Sequence, residues 1–190
     1  MFVNLKNITK CFGELCLFKD FSYNFDAAGI YCISGASGCG KTTLLKIISG
    51  IDKDFEGEVL KEGKLSFVFQ ENRLIPFISV INNVLSVCDK KTVDAKKKAK
   101  EILKNLGLEG FENAKISELS GGMKRRVSLA RALIFEPQIL LLDEAFSALD
   151  EGTISDISPI IKEFAKDKIV IMVTHSQSEI SSFADKIIKL

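Results

Sequence analysis

The sequence lacks the features that several classes of protein require. It has one histidine, and its five cysteines form no C-x-x-C pair, so we expect no structural zinc site. Its longest unbroken apolar run, at positions 169–173, falls far short of the roughly 18 residues that cross a bilayer. Its 26 basic and 25 acidic side chains leave a net charge of +1, which provides no general field for binding nucleic acid. Zinc proteins, membrane-spanning proteins and non-specific nucleic-acid binders are therefore not expected.

The length and the first residues indicate one cytoplasmic domain. At about 150 residues per domain, and without a repeat, linker or low-complexity tract, residues 1–190 are predicted to form a single domain. The N-terminus has no basic region followed by an apolar stretch and a cleavage site, which indicates a cytoplasmic location. In that reducing compartment, the cysteines other than Cys39 are expected to be small apolar side chains.

The apolar pattern predicts strands first, helices in the middle and an alternation of both at the end. Strands are predicted at 2–8, 18–25, 30–34, 57–60, 64–70, 138–142, 168–174 and 186–190. Helices are predicted at 41–49, 79–87, 92–106, 121–135, 152–165 and 177–183, with Pro159 kinking or restarting the fifth. The short connection 61–63 suits an antiparallel hairpin. The later alternation predicts a parallel sheet covered by helices, and hence an α/β protein.

A glycine-rich motif follows the third predicted strand. Residues 35–42 match G-x-x-x-x-G-K-[ST] between a strand and a helix, where backbone N–H groups converge on phosphate oxygens. Lys41 is expected to reach the β- and γ-phosphates, and the Thr42 hydroxyl to coordinate Mg²⁺. Cys39 lies beside a lysine and a helix N-terminus, which favour its thiolate, so its alkylation should block nucleotide entry. The residues predicted to contact the nucleotide are Gly35, Ala36, Ser37, Gly38, Cys39, Gly40, Lys41, Thr42 and Thr43.

Two acids and the single histidine follow predicted strands of the parallel sheet. Asp143 and Glu144 come directly after an apolar strand, at the edge where ligands bind in such sheets. Asp143 is expected near Mg²⁺, and Glu144 to orient and deprotonate an attacking water. His175 follows the strand at 168–174, where it is expected to contact the γ-phosphate; on its own it would be a surface or packing residue.

The segment Leu119-Ser120-Gly121-Gly122-Met123, together with these motifs, resembles the signature of ABC transporter ATPase subunits. The resemblance covers essentially the whole chain, because every motif of that family has a counterpart in the same order. It implies a P-loop NTPase (RecA-like) core with an N-terminal antiparallel β subdomain and a helical insertion at about 71–135. It also implies that the chain hydrolyses ATP with Mg²⁺.

The resemblance assigns further residues. Phe12 is similar to the aromatic residue that stacks on adenine, with a phenyl ring where tyrosine is commoner, and Gln70 to the Q-loop glutamine that touches Mg²⁺ and water. Ser120, Gly121 and Gly122 are similar to the loop that closes on the nucleotide of a second subunit, and Asp150 to the D-loop aspartate. The resemblance thus implies Lys41, Gln70, Glu144 and His175 as catalytic residues, and Thr42, Gln70 and Asp143 as metal ligands.

The resemblance also implies partners. Two ATPase copies would pack head to tail, and membrane-spanning permease subunits would connect them to a solute-binding protein. The permease would dock near the strip 71–78, or else the apolar side chains of that strip belong to the core. The chain would then lie peripherally on the inner face of the cell membrane. The lysine-rich stretch 90–104 would contact anionic lipid or an acidic partner loop, or else form a solvated helix face. No nucleic-acid partner is expected.

Import is the expected direction of transport, and other functions stay open. Met123 and the segment 126–133 resemble the nitrate, sulfonate and taurine importers. The alternatives are an exporter subunit for lipid, peptide or drug and, outside transport, an ATPase of DNA repair or translation. DNA-repair ATPases insert a long coiled coil between the phosphate loop and the signature, and no sustained heptads occur there. The sequence does not indicate the cargo.

Overall fold

The computed structural model describes residues 1–88 and 94–190. Its strands are β1 (Phe2–Phe12), β2 (Leu15–Phe25), β3 (Gly29–Ser34), β4 (Glu56–Glu62), β5 (Leu65–Val68), β6 (Ile139–Asp143), β7 (Ile169–Val173) and β8 (Lys186–Lys189). Its α-helices are α1 (Lys41–Ser49), α2 (Val80–Leu85), α3 (Ala95–Asn105), α4 (Gly121–Ile134), α5 (Glu151–Ala165) and α6 (Gln177–Phe183). The start of the helix predicted at 92–106 and the first lysines of the stretch 90–104 lie outside the described residues.

A parallel sheet in the order β5-β6-β7-β3-β8 forms the centre of the fold. Every residue of β6 and β7 is buried, because helices cover both faces of such a sheet, and this explains their uninterrupted apolar sequences. Parallel strands bring their carboxyl ends to one edge. The chain leaves β3, β5, β6 and β7 at that edge and enters the segments that carry the predicted site residues.

The second sheet is antiparallel, in the order β2-β1-β4, and it corrects one prediction. Residues 61–63 do not close a hairpin, since β4 pairs with β1 and β5 pairs in parallel with β6. Gln138, just before β6, holds this crossing: its side-chain oxygen accepts from Lys64 N–H at 3.1 Å, and its own N–H donates to the Lys64 carbonyl at 2.8 Å. The spacing was short enough for a hairpin, but the pairing partners come from distant parts of the chain.

The cysteine prediction, which covers four of the five cysteines, is wrong for two of them. Cys11 and Cys16 are opposite each other in the β1–β2 hairpin and form a disulfide. The turn between β1 and β2 brings them together, a register that counting cysteines does not reveal. Cys32 is fully buried, and burial raises the pKa of its thiol to about 12, as expected for a small apolar side chain. Burial also raises the pKa of the Cys88 thiol.

Helix α5 runs through Pro159 without restarting. Proline has no N–H to donate to the carbonyl of Ser155, one turn earlier. Ser155 is exposed, so water can satisfy that carbonyl, while Ile157 and Ile161 anchor the opposite face of the helix in the core. Within residues 1–88 and 94–190, no helix combines the length and apolar character that a membrane crossing needs.

Candidate active site

A cavity of about 600 Å³ lies at the carboxyl edge of the parallel sheet. It brings together residues from several of the predicted motifs and one residue that the sequence did not suggest. The lining residues are Leu17, Ser37, Gly38, Gly40, Lys41, Thr42, Thr43, Gln70, Glu144 and His175. The size is that of a small-molecule site, and the lining is rich in polar groups and in backbone from a glycine loop.

The glycine loop wraps around the ammonium group of Lys41. Lys41 Nζ donates to the carbonyls of Gly35 at 2.9 Å and Ala36 at 2.8 Å, so the side chain turns back onto its own loop. Gly35 has no room for a side chain, since an added Cβ would lie 2.8 Å from both Cys39 Sγ and the Leu190 carbonyl oxygen. The loop therefore approaches its neighbours more closely than any residue with a Cβ allows.

Thr42 and Asp143 form an oxygen pair beside this loop. The Thr42 hydroxyl donates to Asp143 Oδ1 at 2.9 Å, and Asp143 is 2% exposed. Burial raises the pKa of the Asp143 carboxyl, and the bond from Thr42 offsets this only in part. A nearby divalent cation would favour the ionised carboxylate. Hydroxyl, carboxylate and amide oxygens are the donors that Mg²⁺ prefers, so Thr42, Asp143 and Gln70 fit this metal.

Glu144 contacts two other predicted site residues. Gln70 Nε2 donates to Glu144 Oε2 at 2.9 Å, and His175 Nδ1 lies 3.5 Å from Glu144 Oε1. The backbone of Glu144 has φ of 46°, in the left-handed region that non-glycine residues seldom adopt, and its N–H donates to the Val173 carbonyl. Strained residues of this kind cluster at functional sites, where the surrounding fold holds them in place.

The signature residues lie elsewhere. Ser120 caps α4 by accepting from Met123 N–H at 3.2 Å, and Gly121 has open space where a Cβ would be. A Cβ on Gly122 would lie 3.2 Å from Leu149, just before Asp150, which caps α5 by accepting from Thr153. The Thr153 N–H and hydroxyl lower the pKa of Asp150. Within the described part of the chain, none of these predicted residues lines the cavity.

The cavity lining differs from the sequence expectation at Phe12 and Leu17. Phe12 does not line the cavity in the described structure. The residue is 55% exposed, and Lys10 Nζ lies 4.7 Å from the centroid of its ring. Leu17, on the neighbouring strand of the hairpin, does line it, and sequence analysis missed it. The available signal was weak, because an apolar residue in a strand usually indicates core packing.

The comparisons with known proteins agree with this geometry. The sequence matches the ABC transporter family over residues 18–147. It is 37% identical to the aliphatic sulfonates import ATP-binding protein SsuB of Bacillus cereus, over 99% of this chain and 80% of that protein. It is also 37% identical to the spermidine/putrescine import ATP-binding protein PotA of Mycoplasma capricolum, over 98% of this chain and 58% of that protein.

Solved structures agree as well. The dimeric structure of MJ0796, a bacterial ABC transporter cassette, has a TM-score of 0.89 and 34% identity over 99% of this chain and 94% of that one. Its dimeric post-hydrolysis state, bound to ADP and Pi, has a TM-score of 0.88 and 35% identity, with the same coverage of both chains. The predicted fold class is confirmed. The chain belongs to the ABC transporter family and is one of its ATP-binding, ATP-hydrolysing subunits.

Proposed function

We propose that this chain lies on the inner face of the cell membrane and energises solute import through separate permease subunits. Residues 1–190 act as one domain, with a helical subdomain at about 71–135. The observation that carries the catalytic part is the convergence of the glycine loop, the Thr42–Asp143 pair and the Gln70–Glu144 pair at one edge of the sheet. The import direction is supported by the names of SsuB and PotA, whose different substrates leave the cargo of this chain unassigned.

The residues of the cavity divide the catalytic work. The loop N–H groups bind phosphate oxygens, and Lys41 exchanges the carbonyls of Gly35 and Ala36 for the β- and γ-phosphates. Thr42, Asp143 and Gln70 would hold Mg²⁺, which would neutralise developing charge on the phosphates. Glu144 accepts a proton from the attacking water, for which it is placed between Gln70 and His175. His175 contacts the γ-phosphate, and Phe12 stacks on adenine.

A second copy completes the site. Ser120, Gly121 and Gly122 begin α4, a helix of 14 residues whose N-terminal N–H groups suit an anion. Because these residues lie outside the cavity of their own chain, they bind the γ-phosphate held by the other copy in a head-to-tail dimer, with Asp150 at the same interface. The dimeric structures of MJ0796 support the presence of a second copy.

The strip 71–78 is the docking surface for the permease. Phe77 is 94% exposed and Ile75 is 41% exposed, although both are apolar. The backbone of Ile75 is held from inside, since fully buried Asn83 accepts from Ile75 N–H at 2.7 Å and donates to its carbonyl at 3.0 Å. Large apolar side chains that are exposed beside such an anchored residue suit a protein partner.

The closed dimer is tested with the Glu144→Gln variant. Removal of the proposed base should stop hydrolysis and trap the closed state, so its mass by light scattering should double from 21.0 kDa when ATP and Mg²⁺ are added. Adding Ser120→Arg to this variant should keep it monomeric, because the bulky cation blocks the signature loop. A Glu144→Gln protein that binds a fluorescent ATP analogue and stays monomeric would contradict the dimer.

The import direction needs a separate test. The genes beside the coding sequence should include a permease and a solute-binding protein, and the purified subunits should take up labelled solute into vesicles when ATP is enclosed inside them, on the side that carries the ATPase subunits. A neighbouring permease without a binding protein, together with solute efflux from the same vesicles, would instead establish an exporter.

A further inference from the structure

Arg125 is a buried side chain of α4 that donates hydrogen bonds to main-chain oxygens in two other segments of the catalytic centre. It lies in α4, five residues after Ser120, and is only 3% exposed. Its Nε donates to the Ala145 carbonyl at 2.7 Å, and its Nη2 to the Asp143 carbonyl at 2.8 Å. Its Nη1 donates to the Gln70 carbonyl at 3.1 Å and also to the carbonyl of Phe69.

These four acceptors hold both sides of the Gln70–Glu144 pair. The carbonyls of Asp143 and Ala145 flank Glu144 in the chain, and the carbonyl of Gln70 belongs to its hydrogen-bond partner. The guanidinium is a planar group with five donors in fixed directions, so it can fix several backbone segments relative to one another. Glu144 needs such support, because its own backbone is in the left-handed region.

The electrostatic environment of Arg125 agrees with a role in positioning the backbone segments whose carbonyls it binds. Among the described residues, no carboxylate accepts a hydrogen bond from Arg125. Burial lowers the pKa of its guanidinium, and the charges of Asp143, Glu144 and Glu179 oppose that shift. The buried cation is therefore stabilised by four oriented carbonyls and by the negative potential of the catalytic centre.

We propose that Arg125 is a positioning residue that couples α4 to Glu144 and Gln70. A displacement of α4, which begins with the signature residues, would reach the backbone on both sides of the proposed base through this one side chain. The inference rests on the roles proposed for Glu144 and Gln70.

Arg131 provides a matched control. It also projects from α4, is half-buried, and donates to the carbonyls of Arg73 at 2.8 Å and Asn72 at 3.3 Å. It thus ties the same helix to the loop after Gln70 but forms no such bond, within the described residues, with the segment 143–145. Arg131→Gln removes a cation and a link to the loop, and it leaves the support of Glu144 intact.

The test compares the steady-state ATPase kinetics of full-length Arg125→Gln and Arg131→Gln proteins. A misplacement of about 1 Å costs about 100-fold in rate, so kcat of Arg125→Gln should fall about 10- to 100-fold. Its KM, and its Kd for a fluorescent ATP analogue, should stay within about twofold, because the glycine loop is untouched. Arg131→Gln should lose less than about threefold in kcat. Equal losses in the two variants, or an increase in KM with unchanged kcat, would overturn the inference.

Two further variants separate positioning from folding. Each protein is assayed well below its thermal midpoint, and Arg125→Lys is used if Arg125→Gln does not fold, since lysine keeps the charge but cannot bind all four carbonyls. In a double-mutant cycle with Gln70→Ala, the losses of Arg125→Gln should be strongly non-additive, because both act through Glu144. Additive losses would contradict the coupling.

The proposed function is tested independently by Glu144→Gln. If Glu144→Gln hydrolyses ATP normally, the proposed role of the base fails. If Glu144→Gln is inactive while Arg125→Gln is normal, only the inference about Arg125 fails.

Discussion

Alanine substitutions at Gly38 and Gly40 of the glycine loop separate the energetic cost of backbone strain from the cost of a steric clash. Both have positive φ, 80° and 102° respectively. An alanine Cβ at Gly38 would meet nothing within 4 Å, whereas at Gly40 it would lie 2.7 Å from Phe18 Cζ and 3.2 Å from Leu17 Cβ. Phe18 is 5% exposed, so its ring has little room to move away.

The expected losses of unfolding free energy follow from these contacts. Gly38→Ala should cost only the left-handed conformation, about 1–2 kcal/mol. Gly40→Ala should add overpacking of about 1–3 kcal/mol, for a total of about 2–5 kcal/mol. Urea unfolding without nucleotide measures both values. Equal losses in the two variants would refute the steric argument, and Phe18→Leu should recover part of the Gly40→Ala loss by removing the contacting atom.

Three further predictions concern single side chains. Leu17→Ala should weaken ATP binding about three- to tenfold by fluorescence titration with little change in kcat, whereas Leu15→Ala, whose side chain lies outside the cavity, should leave binding unchanged. Alkylation of Cys39 should block ATP binding and should itself be slowed by ATP; full ATPase activity after mass spectrometry confirms the modification would contradict this. Burial raises the pKa of Glu179, so the folded state retains that proton more strongly than the unfolded state. The unfolding free energy of the unsubstituted protein should therefore fall relative to that of Glu179→Gln as pH rises from about 4.3 through the raised pKa. If urea unfolding gives a difference between the two proteins that does not change with pH, the prediction is refuted.

Local sequence patterns predicted the helices and the glycine loop well. The helices predicted at 41–49 and 177–183 have the bounds of α1 and α6. The loop before α1 and the two acids at the end of β6 also lie where their motifs indicate, because each depends on residues close together in the chain. Gly40, for example, precedes α1 with a φ that glycine adopts without strain.

Local sequence patterns did not predict the interactions between residues that are distant in the sequence. The crossing between β4 and β5 includes a hydrogen bond from Lys64 to Gln138, which lies 74 positions away, and no local pattern indicates this contact. The disulfide between Cys11 and Cys16 depends on hairpin register. Leu17 and Arg125 belong to no motif that the sequence analysis used, since one faces the cavity from a hairpin and the other binds backbone carbonyls that carry no sequence signature.

By itself, the sequence determined the chemistry of the site. The types and order of Lys41, Thr42, Asp143, Glu144 and His175 indicate phosphate and metal binding before any coordinates are known, because these properties belong to side chains and to short loops. Only the tertiary structure decided which residues meet. The parallel sheet brings the ends of distant strands to one edge, and Arg125 joins them there through hydrogen bonds to main-chain oxygens that every residue possesses.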